Sequence, residues 1–395
     1  MVEPGQEVTL KNYLSKMQQA FFLPSIEKKY FIIGSTACDM DSVLSAWMLS
    51  IFENMKVQTL ISDESTEYYY LNPEATTIYY PILNCNRGDL KLRLDVKYVF
   101  EKFGLKEEEF FYINDPQLNE KTVSHSKNLG IVLVDHSELT EKDSYFKNLV
   151  EDIYDHHVAY NFSFPNCHKR FIKFPVGSCT TLILCDFILD IFPLTIIPPI
   201  LAVTAILLDT MNFNPNIQRI KWCDLDESIY ENIMALNKEP IDVEKYYKEI
   251  LDAKMNFEKN IELGYENLLR KDRKHFMWGK NKVVWSSLPI SIHDVIEKFG
   301  LENIMAYIKK TWPDVDFYLV HSMIEDENKL IKIFINEKKE LPDIKGIKKE
   351  IINIIGKSFK KFKYDEKNKI INLYVVPTYT RKIIEPRLKR VFKDK

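Results

Sequence analysis

The sequence predicts an α/β protein: a mainly parallel sheet flanked by helices, followed by a smaller α+β domain. Three observations predict it. Short apolar runs alternate with helical stretches through the first half, the pattern of repeated βαβ units. The second half abandons that alternation for a charged helical run followed by closely spaced strand candidates. At 395 residues, the chain has room for two ordinary hydrophobic cores.

The elements follow in order. FIIG at 31–34 reads as a strand, and residues 41–54 carry helical apolar spacing. KVQTLI (56–61), IVLV (131–134) and DIYD (152–155) read as further strands. Residues 105–128 are polar and acidic, suiting a helix and a surface loop. Ser178 has the chemistry of an N-cap for a helix running to about 191, and a second helix ends near Asp209. Pro240 interrupts the chain within 238–242, which is expected to link a first domain (1–237) to a second (243–395). The second opens with a helical run over 243–269. Its strand candidates are VVWSSL (283–288), DFYLVHSM (316–323), IKIFIN (331–336) and NLYVV (372–376).

Composition excludes several classes. With 46% hydrophobic and 28% charged residues, the chain is neither disordered nor fibrous. Lys plus Arg number 54 against 57 for Asp plus Glu, a net charge of −3, so a polyanion would need a local basic cluster. Six cysteines include no CxxC pair and read as reduced thiols of a cytoplasmic protein. The opening residues lack the basic and apolar regions of a secretory signal. Residues 191–208 are uncharged, but Pro193, Pro198 and Pro199 break them, which favours a loop and a buried helix over a membrane span.

The chemistry lies in an acidic cluster. GSTACDMDS (34–42) follows the first strand and carries Asp39 and Asp41; VDH places Asp135 and His136 after another strand; DHH places Asp155, His156 and His157 after a third. In an open α/β sheet, residues just past the carboxyl ends of strands converge on one crevice. Four carboxylates and three imidazoles would then share one edge, a charge that bound divalent cations can cancel. Asp209, at the end of an apolar helix, can complete the set. An Asp at such a position is often simply a helix cap, and DHH or VDH alone is a weak signal. Their recurrence at successive strand ends favours a metal site.

In this order, Asp39-x-Asp41-Ser42, Asp135, Asp155-His156-His157 and Asp209 resemble the motifs of DHH-family phosphoesterases. VGSCTTLI (176–183) is similar to a further motif of that family. The second half resembles a DHHA2 domain through LLRKDRKHF (268–276), VVWSSLP (283–289) and TRKIIEP (380–386). LNCNRGDLKLRLDV (83–96) and VDHSEL (134–139) resemble the eukaryotic exopolyphosphatase and prune branch. The resemblance implies an active site in the cleft between two domains and two divalent cations, Mn²⁺ or Mg²⁺, with Co²⁺ an option. It implies that Asp39 and Asp41 each serve one metal, that Asp135 bridges both, and that His156 and Asp209 complete the ligand set of the second metal. His157 would face the substrate phosphate, and His136 joins Asp135 and His157 as a catalytic candidate. Lys274, Arg381 and Lys382 match basic phosphate-binding positions. Arg93 is a first-domain contact preferred over Arg87, and Arg387, Lys389 and Arg390 would extend a basic track or form a solvated tail.

One position departs from the pattern. Family pyrophosphatases carry a histidine four residues before the first motif aspartate, where this chain has Ser35, so one metal site lacks an imidazole. The implied function is exopolyphosphatase, releasing orthophosphate from the end of linear polyphosphate. Two metals about 3.5–4 Å apart would activate a bridging water for in-line attack. Rival readings are an inorganic pyrophosphatase, a prune-like short-chain polyphosphatase or cyclic-nucleotide phosphodiesterase, and a non-enzymatic scaffold with a decayed metal site. A nucleic-acid substrate is disfavoured because the chain has no Gly-Gly pair, as the GGGH signature of DHH nucleases requires. No membrane partner is expected.

Overall fold

A computed structural model describes residues 10–393 apart from 24–25, 64–67, 125, 127, 158–162, 188–195, 238–239, 324–328, 340–342 and 377–380. Strands of the first unit are β1 (Lys28–Ile33), β2 (Leu60–Asp63), β3 (Tyr68–Leu71), β4 (Thr77–Leu83), β5 (Phe111–Tyr112), β6 (Leu129–Val134), β7 (Val150–Asp155) and β8 (Lys169–Ile172). Its helices are α1 (Leu10–Ala20), α2 (Met40–Lys56), α3 (Leu94–Lys102), α4 (Glu120–Ser124), α5 (Cys179–Phe187), α6 (Pro199–Ala202), α7 (Thr204–Asp209), α8 (Asp224–Met234) and α9 (Val243–Met255).

The main sheet is parallel throughout, in the order β5-β4-β1-β6-β7-β8. β6 (LGIVLV) is buried at every position, as a central parallel strand covered on both faces must be. β1 has β4 on one side and β6 on the other, so strand order reverses at β1. That reversal opens a crevice at the carboxyl ends of β1 and β6, the site of ligands in doubly wound sheets. α2 is buried along most of its length, and Trp47 stacks on Phe100 and Phe110 beneath it.

Several expectations change. Residues 56–61 are not one strand: α2 continues to Lys56, Gln58 turns in the left-handed region (φ 59°), and β2 pairs only with β3, outside the main sheet. The sequence does not predict β3, β4, β5 or β8 as strands. Pro81 argues against a strand interior, but it precedes the two β4 positions that pair with β5, where one flank of β4 is open. β8 is an edge strand with partly exposed side chains, so it lacks an apolar run. The predicted helix to about 191 is seen as α5 up to Phe187; positions 188–191 lie outside the described residues. Of the uncharged stretch, 191–195 also lie outside them, and the rest forms buried α6 and α7. No helix among the described residues is long and apolar enough to cross a membrane.

The chain divides after Ala253 and not at 238–242. The reason is α9, whose Tyr246 and Ile250 join the first core, with Tyr246 Oη hydrogen-bonded to Thr204 Oγ1 at 2.7 Å. Residues 238–239 of the expected linker lie outside the described residues.

The second unit holds α10 (Phe257–Glu262), α11 (Gly264–Lys271), β9 (Arg273–Trp278), β10 (Asn281–Ser287), α12 (Ile292–Phe299), α13 (Leu301–Thr311), β11 (Phe317–Met323), β12 (Lys329–Ile335), α14 (Ile344–Ile355), β13 (Phe359–Asp365), β14 (Ile370–Val375) and α15 (Arg381–Phe392). Its sheet runs β13-β14-β12-β11-β10-β9, with only β10 and β11 parallel. Strand alternation splits the core in two: Ile331 and Ile333 pack with α14 and α15, while Leu330 and Phe334 pack with α11, α12 and α13. The four strand candidates of the second half all fall in this sheet; β9 and β13 join them with more polar sequences.

Candidate metal centre

The turn after β1 brings α2 close. A Cβ on Gly34 would come 2.7 Å from the Cβ of Ser42, so only glycine fits that approach. Asp39 is the N-cap of α2, its Oδ1 accepting from the Ser42 backbone N–H at 3.2 Å. The capping role therefore belongs to Asp39, and Asp41 is left to turn inward. Asp41 is 3% exposed. Its Oδ1 accepts from Ser178 Oγ (2.5 Å), Thr180 Oγ1 (2.9 Å), Thr180 N (3.0 Å) and Ser45 Oγ (3.3 Å), and its Oδ2 from Cys179 N (2.7 Å). Cys179 and Thr180 open α5, so this carboxylate rests on the positive end of a helix.

Asp135 follows β6 with φ 61°, a left-handed conformation that a non-glycine residue adopts at a cost. Ser42 Oγ donates to its Oδ2 at 2.6 Å, and His156 Nε2 stands 3.1 Å from its Oδ1. Val176 O can only accept, so the 3.0 Å contact from His156 Nδ1 places the proton on Nδ1 and leaves Nε2 as a ligand atom. That Nε2 is 3.5 Å from Asp41 Oδ2. His157 turns Nδ1 to Asp155 Oδ1 at 2.8 Å, and Asp155, fully buried, also accepts from the His157 backbone N–H. Ligand atoms of Asp135, His156 and His157 lie within 4.8 Å of one another.

The charge at this edge is unbalanced. Burial, then the negative charges of Asp39 and Asp41, push the Asp135 carboxyl up from 3.8 to about 7. Burial also opposes ionisation of Asp155, but His157 overcomes it and holds that carboxyl below its ordinary value. The second oxygen of Asp155 has no hydrogen-bond partner. Two carboxylate oxygens facing an imidazole nitrogen whose proton is on the other side is a donor set that suits a divalent cation.

The remaining predicted residues are placed less uniformly. Asp209 ends α7 and lies 3.6 Å from Lys221 Nζ; it is not among the atoms gathered with Asp135, His156 and His157. His136 turns Nδ1 to Val134 O at 2.9 Å. Arg93 is buried, and its charge acts on Cys38, the neighbour of Asp39. Arg87 is committed to Asp115, at 2.7 and 3.2 Å, over the ring of Tyr112. Ser35 Oγ lies 2.8 Å from Ser42 Oγ, so a hydroxyl pair leads to Asp135 where an imidazole was expected by resemblance. In the second unit, Arg381 donates to Asp272 Oδ1 at 2.7 Å and to the carbonyls of Asp272 and Trp285 at 3.2 Å. Lys274 lies on β9, and the side chain of Lys382 and residues 377–380 are outside the described set. Sequence reasoning gave no site role to Ser45, Ser178 and Thr180. Two of these stand in the GSCTT run, whose hydroxyl density was the available signal.

No family model matches the chain. It is 26% identical over 295 residues to exopolyphosphatase PRUNE1 of Bos taurus, covering 74% of this chain and 59% of that protein. The Homo sapiens protein of the same name is 25% identical over 294 residues with the same coverage. Among solved structures, a "putative family II inorganic pyrophosphatase" of Methanococcus jannaschii superposes with a TM-score of 0.60 at 21% identity, covering 92% of this chain and 99% of that one. Over the span it shares with the mammalian proteins, the chain is similar to prune-type exopolyphosphatases. The chain spans 59% of the length of these mammalian relatives. The archaeal structure supports the fold: a parallel sheet followed by a second mixed-sheet unit.

Proposed function

We propose that this chain is a divalent-metal-dependent exopolyphosphatase that releases orthophosphate from the end of linear polyphosphate. The supporting observation is the convergence of His156 Nε2, Asp135 Oδ1 and Asp41 Oδ2, with separations of 3.1 and 3.5 Å from the nitrogen. Asp39, Asp41, Asp135 and His156, with Asp209 for a second ion, would hold Mn²⁺ or Mg²⁺. Such ions supply charge neutralisation at the phosphoryl oxygens and make water more acidic. The chain's own groups do the rest. Asp155 fixes His157 through Nδ1, which also stands 3.9 Å from Asp135 Oδ1, and the ring at this edge is proposed to bind a phosphoryl oxygen. Ser42 holds Asp135 in place through its Oδ2. Arg93 in the first unit, and Lys274, Arg381 and Lys382 in the second, are proposed to bind the remaining phosphates. The curated relatives named exopolyphosphatase support the substrate class.

The test is phosphate release by purified protein with Mn²⁺ or Mg²⁺ from long-chain polyphosphate, tripolyphosphate, pyrophosphate and cyclic AMP in parallel. Release from polyphosphate, abolished by chelation and in Asp209→Ala, is the expected result. Preference for pyrophosphate or cyclic AMP would transfer the same site to another phosphoanhydride or phosphodiester. No metal-dependent release from any of them would sink the enzymatic reading.

A further inference from the structure

One buried carboxylate outside the cluster has no role in the chemistry above. Asp226, in the first turn of α8, is fully buried. Its Oδ1 and Oδ2 both accept the Gly177 N–H, at 3.0 and 2.9 Å. Oδ1 also accepts from Thr181 Oγ1 at 2.6 Å, and Oδ2 from the Cys223 N–H at 2.9 Å. Capping α8 accounts for the Cys223 bond alone. The other bonds reach back to residues 177 and 181, far upstream in the chain.

The opposite side of that upstream segment holds the metal-binding edge. Val176 O accepts a hydrogen bond from His156 Nδ1–H, and Ser178 Oγ, Cys179 N and Thr180 N converge on Asp41. Space around the clamp is closed: a Cβ on Gly177 would stand 2.9 Å from Thr210 Cγ2, 3.1 Å from Trp222 Cβ and 3.2 Å from Asp226 Oδ1. A charged acceptor holding a backbone N–H in a buried setting is stronger than a neutral one. Outer groups of this kind set ring orientation and tautomer in metal-ligating histidines.

We infer that Asp226 is a positioning residue: through Gly177 and Thr181 it holds the 176–180 turn that fixes the tautomer of His156 and the orientation of Asp41. The effect on metal rests on the proposed function; the effect on the His156 ring does not. An amide at 226 would present an NH₂ group to donors that now meet oxygen, so Asp226→Asn opposes the clamp without changing its shape.

The experiment uses the full chain. Imidazole ¹⁵N spectra of the metal-free protein report the His156 tautomer, and calorimetric titration with Mn²⁺ reports affinity. In the wild type the Nδ1–H form is expected; Asp226→Asn should shift His156 toward a tautomer mixture and weaken Mn²⁺ binding by roughly 10–100-fold, the range for outer-group substitutions. Thr181→Val removes a single bond to the clamp and should move both readouts the same way by less, which covers the case in which Asp226→Asn does not fold. Glu385→Gln, at a buried carboxylate bonded to Trp278 in the second unit, should lower Tm and leave both readouts unchanged. A lowered Tm in the foldable position-226 or position-181 variants, with the His156 signature and Mn²⁺ affinity of the wild type, would reduce Asp226 to a helix cap and overturn the inference. A tautomer change in a protein whose wild type binds no Mn²⁺ would uphold the positioning role and overturn the proposed function.

Discussion

At the carboxyl edge of the first sheet, Asp41, Asp135 and His156 are buried and face one another, so two acids compete for one imidazole. In the second unit a comparable set of polar groups closes on itself. Trp285 Nε1–H donates to His321 Nδ1 at 3.0 Å, which puts the ring proton on Nε2, 2.8 Å from Ser287 Oγ. Arg381 is matched by Asp272 and two carbonyls. Burial, then the charge of Arg381, pushes His321 down from 6.5 to about 3, so it stays neutral and satisfied. One region accumulates charge of one sign on a strained backbone, and the other cancels it within the fold. The first arrangement gains from an added cation; the second is stable as built.

The largest break in that contrast should come at Asp135. Asp135→Ala removes the residue that touches both Ser42 and His156, and turnover should fall by at least 10²–10³-fold, roughly the scale of losing one preorganised electrostatic group. Phosphate release under saturating Mn²⁺ measures it; near-normal turnover would put the chemistry elsewhere.

The two regions should also respond to pH with opposite signs. Folded Asp135 titrates at about 7 against 3.8 unperturbed, so its contribution to stability is present below about pH 4 and is lost as pH rises toward 7. His321 titrates at about 3 against 6.5, so its contribution is present above about pH 6.5 and is lost as pH falls toward 3. Hydrogen exchange on metal-free full-length protein from pH 4 to 7, corrected for the intrinsic rate, reads the two sheets separately. Protection of β6 should weaken on raising pH while that of β10 and β11 strengthens, and Asp135→Asn should flatten only the first trend. Parallel trends in both sheets would refute the contrast.

Arg381 gives a smaller and mixed effect. Arg381→Ala leaves the Asp272 carboxylate and two carbonyls without their donor, costing about 1–3 kcal/mol in the second unit. It should raise KM for polyphosphate while leaving Mn²⁺ affinity unchanged. Lysine at the same position keeps the charge but loses the planar fork, so it should recover substrate binding better than stability. An unchanged KM in both variants would confine Arg381 to bracing α15.

Much of this was readable before any coordinates, and the unread part has physical causes. Strands such as β6 declare themselves because burial on both faces demands an uninterrupted apolar run. β8 and β13, at sheet edges, expose part of each side chain and look polar in sequence. The spacing of Asp39, Asp135 and His156 after apolar runs implied one shared edge, because parallel strands end together. It did not reveal that Asp39 caps α2 while Asp41 takes donors from α5, since that depends on how two distant helices start beside each other. Nor did it show Asp209 standing beside Lys221, a contact made only through the turn that follows α7.

The smallest expected effect separates two arginines that sequence reasoning ranked but did not place. Arg87 is 44% exposed, but its partner Asp115 is buried, so removing the guanidinium leaves a buried carboxylate without its cation at a cost of about 1–3 kcal/mol. Arg87→Ala should therefore lower Tm and leave KM and kcat unchanged. Arg93 is buried and acts electrostatically on Cys38, next to the cap of α2. Arg93→Ala should raise KM for polyphosphate, because a cation close to Cys38 can attract a polyanion in a chain of net charge −3. Equal KM shifts in the two variants would mean that the first unit attracts substrate through its general field and not through Arg93.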